Sequence, residues 1–193
     1  MIYHNNNIKN KKITILGAGI SGFGATKLAN YKKAKVFLSN DKRFNNPFNN
    51  KIEKEFSHSE KCKDSDLVIL SPGIDPQKNK IIKILSNLNI PIVSEIEFAS
   101  WFTNSPIIAI TGSNGKSTVV KMLHEILQEK YENVLLGGNI GISFSSNVVD
   151  ELKSELINSV HLLEVSSFQL ENIKTFKPYI SCIFFLESII FPL

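Results

Sequence analysis

The apolar residues of this chain fall into short continuous runs. The runs are KITIL (12–16), AKVFLS (34–39), DLVILS (66–71), IPIVS (90–94), IIAIT (107–111), NVLLG (133–137), VHLLEV (160–165) and YISCIFF (179–185). A half-exposed strand alternates apolar and polar positions, whereas a strand covered on both faces does not, so these runs predict parallel sheets with helices on each face. Between them the spacing becomes helical. It predicts helices over 22–32, over 78–88 with Ile81, Leu85 and Leu88 on one face, over 116–130 with Val119, Leu123, Ile126 and Leu127, and over 147–157 with Val148, Val149, Leu152 and Leu156. Strand–helix alternation of this kind predicts an α/β fold.

Two glycine-rich turns stand about a hundred residues apart, each after a strand run and before a helix pattern. A boundary at TNSP (103–106) explains both. It predicts a Rossmann-like domain over 1–103 and an incomplete P-loop α/β domain over 104–193. The Asn-rich stretch 44–50 reads as a solvated loop.

Composition narrows this little. The 193 residues are 42% apolar and 21% charged, with a net charge of +4, as expected of a globular protein that can bury a sizeable core. The lysines are scattered, with no basic stripe and no interleaved aromatics, so nucleic acid is not the expected partner. Cys62 and Cys182 form no CxxC pair and read as reduced thiols of a cytosolic protein. The polar start has no apolar core and does not read as a signal peptide. The apolar tail is interrupted by Glu187 and is short for a membrane span. A monomer without membrane attachment is expected.

Gly17, Gly19 and Gly22 in GAGISG fit G-x-G-x-x-G. Glycines there permit a tight turn and bring backbone N–H groups and a helix N-terminus to an anion. Asp41 stands where the ribose-binding acid of a dinucleotide site is expected. Taken alone, the turn suggests an NAD site, and a structural turn that packs helix on strand remains the alternative. SPGI (71–74) ends the third strand level with this turn. It either lines the crevice of an open sheet or is an ordinary turn.

TGSNGKST (111–118) lies in P-loop context, although Ile110 occupies the place of the first glycine of the strict pattern and Gly112 takes over its part. Gly112 and Gly115 open the backbone around phosphate oxygens, Lys116 can reach the β/γ-phosphates, and the Ser117 hydroxyl can ligate Mg²⁺. Glu164, ending an apolar strand, can approach Ser117 because strand C-termini of a parallel sheet share one edge. His4, His58, His124 and His161 carry no motif and read as incidental.

ITGSNGKST (110–118), GGNIG (137–141) and LEVSSFQLE (163–171), together with GAGISG and SPGI, resemble the Mur ligases, most closely their MurD branch. The resemblance runs from about residue 12 to residue 185. It implies an ATP- and Mg²⁺-dependent ligase that adds D-glutamate to UDP-N-acetylmuramoyl-L-alanine in peptidoglycan synthesis, through an acyl phosphate. It implies that Ile20, Ser21, Asn40, Asp41, Ser71, Pro72 and Gly73 hold the uridine diphosphate. Asn139 and Gln169 would face the muramoyl-alanine. Gly112, Ser113, Asn114, Gly115, Lys116, Ser117 and Thr118 would hold ATP, with Lys116 and Glu164 catalytic and Ser117 and Glu164 on the metal.

After CIFF the family pattern continues with a metal-ligand histidine, a later lysine and a C-terminal domain that binds D-glutamate. Here the chain reads LESIIFPL. The expectation is a second domain cut within its sheet, no turnover by the chain alone, and exposed apolar surface over 180–193. A shifted reading frame would account for the tail, since codons for Ile-Ile-Phe can read His-Leu in a neighbouring frame. A sister ligase, an NAD-dependent oxidoreductase and a non-catalytic nucleotide-binding module stand as alternatives.

Overall fold

The computed structural model describes residues 7–45, 47–48, 52–76 and 78–184. It contains two parallel sheets. The first is built from β1 (Lys12–Leu16), β2 (Lys35–Ser39), β3 (Glu53–Glu55), β4 (Leu67–Leu70) and β5 (Ile92–Ser94), in the spatial order β3-β2-β1-β4-β5. Its helices are α1 (Ile20–Tyr31), α2 (Lys80–Asn87) and α3 (Glu95–Ser100). The second contains β6 (Ile107–Gly112), β7 (Asn133–Gly138), β8 (Ser159–Glu164) and β9 (Ile180–Phe184), in the order β7-β8-β6-β9. It carries α4 (Lys116–Leu127), α5 (Phe144–Ser154) and α6 (Ser167–Leu170). The α/β class expected from the apolar runs is the class found.

The pleat divides each run between two cores. Ile13 and Ile15 of β1, with Ile107, Ala109 and Leu163 of the second sheet, face a shared central core with α1, α3 and α5. Leu16, Val68 and Leu70 face α2 on one outer side. Ile108, Ile110, Val160 and Leu162 face α4 on the other. The order across the molecule is therefore helix, sheet, helices, sheet, helix. Helix α1 packs in the central layer through the buried Gly22, Gly24, Ala25, Leu28 and Ala29. A Cβ at Gly24 would fall 1.8 Å from Ser143 Oγ at the start of α5. Only glycine permits that approach.

Two buried polar groups tie the halves together. Glu97 of α3 is fully buried, and its carboxylate accepts hydrogen bonds from the backbone N–H groups of Lys174 (2.8 Å), Thr175 (2.9 Å) and Phe176 (2.7 Å). Trp101 Nε1 and Thr175 Oγ1 also donate to it. Burial alone would raise its pKa, but these donors outweigh burial and hold it below the usual carboxylate value. At the other end of α5, Glu151 Oε2 lies 2.9 Å from Nε2 of the fully buried His161. Because an ionised carboxylate only accepts, Nε2 is the donor in this contact. Thr103 Oγ1 lies 3.2 Å from the same nitrogen, and Ser105 Oγ donates to Glu151 Oε1, so residues 103–105 are pinned between α5 and β8.

Several expectations from spacing are corrected. Leu88 and Ile126 are not core residues: they are 52% and 61% exposed, while Ile82 is buried on α2. Helix α5 starts three residues before the expected 147, at Phe144, and Leu156 lies beyond its end. The loop over 44–50 is not wholly solvated. Phe44 and Phe48 pack against Phe23 of α1, with ring centroids 5.8 and 5.9 Å apart. His58 and His161 are not incidental, since each is held in a buried polar network. Ile180 and Ile183 of β9 are 49% and 61% exposed, matching the expected apolar surface as far as residue 184. Residues 185–193 and His4 lie outside the described residues. No helix among the described residues is long and apolar enough to cross a membrane.

Replacing Glu97 by Ala should strand three backbone donors and lower the unfolding free energy by about 2–4 kcal/mol, read from urea midpoints. The sign with pH follows from the depressed folded-state pKa. The Glu97 contribution is complete above the unfolded-state pKa and is lost as pH falls through the lower folded value. The gap between wild type and the Glu97→Ala variant should therefore close at acid pH and hold constant at neutral pH.

Candidate functional site

Strand β6 runs straight into the phosphate-loop sequence. Gly112 has φ 144° and Gly115 has φ 80°, both in the region that favours glycine. A Cβ at Gly112 would fall 1.8 Å from the Phe184 carbonyl oxygen, and Ser113 N–H donates to that same oxygen at 3.2 Å. Helix α4 starts at Lys116 with no side-chain cap and no acidic residue in its first turn, which contains Ser117 and Thr118. Its first N–H groups are left for an anion, and the helix dipole favours one. Lys116 Nζ folds back and donates to the carbonyl oxygens of Gly112 (2.6 Å) and Ser113 (3.3 Å).

Register brings Glu164 to this loop. It pairs with Ile110 of β6 on one side and with Gly138 of β7 on the other. Its side chain is 2% exposed. Ser117 Oγ donates to Oε2 at 2.6 Å, and Asn139 Nδ2 donates to Oε1 at 3.0 Å. Among the described residues, no group of three or more His, Cys, Asp or Glu converges on one point. One carboxylate and one hydroxyl, beside a helix N-terminus open to phosphate, is a donor set that suits Mg²⁺. That ion keeps water and phosphate oxygens and takes only one or two protein ligands.

The first glycine turn borders a cavity of about 350 Å³. Ile20, Ser21 and Asn40 line it, as do Ser71, Pro72 and Gly73 from the neighbouring strand end. Asn139 and Gln169 of the second half complete it. Eight of the nine residues expected at a sugar-nucleotide site thus share one cavity. The order β3-β2-β1-β4-β5 explains the place, because the connection reverses between β1 and β4, and ligands of open α/β sheets bind at such a point. Gly19 caps α1 without a side-chain partner, and a Cβ there would meet nothing within 4 Å. Gly22 has the packing role, since a Cβ there would fall 1.8 Å from the Gly17 carbonyl oxygen. Asn40 braces the turn by accepting from Ala18 N–H at 2.9 Å, and Ser71 Oγ donates to Gly17 O at 3.2 Å.

Asp41 is the exception. It does not line the cavity. Its 68% exposed carboxylate pairs instead with His58 Nε2 at 3.1 Å, and His58 Nδ1 lies 2.7 Å from Ser39 Oγ. This contact takes the acid away from the ribose position.

Sequence reading missed a neighbouring cavity of about 420 Å³ that shares the Ser71–Ile74 wall and Gln169. Glu95, the first residue of α3, lines it. Glu95 is 1% exposed; its Oε1 accepts from Ser145 N–H at 2.6 Å, and its Oε2 has no hydrogen-bond partner among the described residues. Burial pushes its pKa up to about 7 against the pull of Ser145. The sequence signal was Ser94-Glu-Ile-Glu, the pattern of a helix start.

Residues 12–80 match the family model of the MurD N-terminal domain. Curated relatives extend the match across nearly the whole chain. The chain is 42% identical to a UDP-N-acetylmuramoylalanine–D-glutamate ligase from Christiangramia forsetii, over 89% of this chain and 39% of the relative. It is 36% identical to the same-named ligase from Thermoanaerobacter pseudethanolicus, over 91% of this chain and 40% of that one. Across about nine tenths of its length this chain is similar to ligases of the MurD type. A third Mur ligase, from Chloroherpeton thalassium, is 40% identical over 91% of this chain and 39% of its own length. The chain thus spans about two fifths of the length of the curated relatives it matches. Among solved structures it is similar to a pseudomurein peptide ligase type C from Methanothermus fervidus, at 20% identity and TM-score 0.43, over 82% of this chain and 33% of that one.

The raised pKa of Glu95 has a sign opposite to that of Glu97. A carboxyl whose folded-state pKa is raised favours folding below its unfolded-state value and loses that contribution as pH rises through the folded value. The Glu95→Gln variant should therefore gain on wild type between about pH 5 and pH 7, by at most about 1.4 kcal/mol per pH unit. Urea unfolding at a series of pH values measures the difference.

Proposed function

We propose that residues 1–103 form a domain for a sugar nucleotide and residues 104–193 part of an ATP-binding domain, in a ligase that joins D-glutamate to UDP-N-acetylmuramoyl-L-alanine. The observation that carries this reading is the 2.6 Å hydrogen bond from Ser117 to the buried Glu164, with Asn139 touching that carboxylate and lining the glycine-turn cavity. A nucleotide loop and a separate nucleotide-type turn then serve one reaction between two phosphorylated ligands.

In this reading the substrate carboxylate oxygen attacks the γ-phosphorus of ATP, and the bond to ADP breaks. The amine nitrogen then attacks the acyl carbon, phosphate leaves, and the nitrogen gives up a proton. Both steps crowd anions together. Lys116 and the first N–H groups of α4 offset that charge and hold the phosphates in line. Ser117 and Glu164 would hold Mg²⁺, which supplies further positive charge to the phosphate oxygens. The cavity residues orient the sugar nucleotide; Ser21 and the N-terminus of α1 face its diphosphate.

An NAD-type module is the second reading that the turn allows. The pairing of Asp41 with His58 favours the sugar nucleotide over it.

Calorimetric titration tests the proposal. Wild type should bind UDP and Mg·ATP together, and NADH should not displace UDP. The Lys116→Ala variant should lose about tenfold or more in Mg·ATP affinity, as expected for a lost charged hydrogen bond, while UDP affinity stays within about twofold. Displacement of UDP by NADH, or ATP binding indifferent to Lys116, would overturn it.

A further inference from the structure

Asn139 does more than line a cavity. Glu164 has two oxygens, and each is engaged by a different neutral donor: Oε2 by Ser117 Oγ at 2.6 Å and Oε1 by Asn139 Nδ2 at 3.0 Å. The amide orientation follows from chemistry, because an ionised carboxylate only accepts and the NH₂ group must face it. The backbone holds the donor there as well. Asn139 N–H donates to the Glu164 carbonyl oxygen at 2.7 Å. The preceding Gly138 has φ 94°, and a Cβ there would fall 2.2 Å from that same oxygen. The turn after β7 therefore lies hard against the end of β8, and Asn139 is attached to Glu164 through both main chain and side chain.

We propose that Asn139 is a positioning residue that restricts Glu164 to one-oxygen ligation and so selects magnesium over calcium. The inference rests on the reading that Ser117 and Glu164 hold the metal of a bound nucleotide. Ligation by Ser117 requires its hydroxyl proton to turn away from Glu164, which frees Oε2 alone. Oε1 stays engaged by the amide. Mg²⁺ needs near-octahedral geometry at short distance and takes carboxylates through one oxygen, whereas Ca²⁺ accepts six to eight ligands and both oxygens of a carboxylate. With the amide in place the carboxylate offers the first geometry; without it, both oxygens open and the second becomes available. Partners that orient a metal ligand in this way typically change metal affinity by about 10–100-fold.

The test titrates ATP into the protein at matched free Mg²⁺ or Ca²⁺, in wild type, Asn139→Ala and Asn139→Asp. The Asp variant keeps the shape of the side chain but cannot donate while ionised, so it covers the case in which the Ala variant fails to fold; far-UV circular dichroism and urea midpoints report folding. Wild type should bind ATP more tightly with Mg²⁺ than with Ca²⁺. Both variants should lower that ratio by about tenfold. A merely structural role would weaken ATP binding with the two metals alike, and an unchanged ratio in the folded variants overturns the proposal while leaving the ligase reading intact. Ser117→Ala separates the two claims, since it should abolish metal dependence altogether. Wild-type ATP binding that ignores both metals would overturn the metal reading and this inference together.

Discussion

The close packing of α1 on α5 is the constraint on which the rest of the molecule depends. Both helices lie between the two sheets, and the bare Cα of Gly24 against Ser143 sets how near they come. Because the central layer belongs to both sheets, the strand ends of one are fixed relative to those of the other. The glycine turn after β1 and the GGNIG turn after β7 can then border one cavity although they are more than a hundred residues apart. Two domains joined by a loose tether would present two half-sites. Here the apolar core itself aligns them, helped by Glu97 and by the His161–Glu151 network at the ends of the central helices.

Three buried glutamates show how the chain manages charge inside this frame. Glu97 is surrounded by backbone donors and stays ionised. Glu95 has a donor on only one oxygen and gives way to burial. Glu164 accepts from one hydroxyl and one amide, with no ion pair among the described residues. Neutral donors satisfy its oxygens without cancelling its charge. That leaves a negative field beside a helix N-terminus that attracts phosphate, an arrangement that gains from a small cation between the two.

Much of this was legible in the sequence. The strand runs were readable because β1, β4, β6 and β8 are covered on both faces, so their buried positions follow one another without the alternation of a half-exposed strand. The phosphate loop and Glu164 were readable because strand ends in a parallel sheet share an edge, so a motif and a carboxylate on neighbouring strands must meet. What escaped has physical reasons. Strand β3 is Glu-Lys-Glu at a sheet edge, held by backbone pairing to β2 and carrying no apolar signal. Helix α3 follows β5 with no loop between them, so the strand run concealed it. Asp41 occupied the expected position, but a histidine from the segment after β3 captured it. Leu88 and Ile126 fit a helical stripe on spacing yet are exposed, Leu88 as the cap just past the end of α2. The roles of His161 and Glu151 required the fold, because they are ten residues apart and on different elements.

The contact between Gly112 and Phe184 links the glycine loop after β6 to strand β9. Strand β9 fixes where the first glycine of the loop can lie, and its carbonyl orients the N–H of Ser113. The curvature of the glycine loop is therefore inherited from a strand at the sheet edge among the described residues, whose Ile180 and Ile183 are exposed. Whatever shelters that edge therefore also stiffens the glycine loop, although it lies on a different strand.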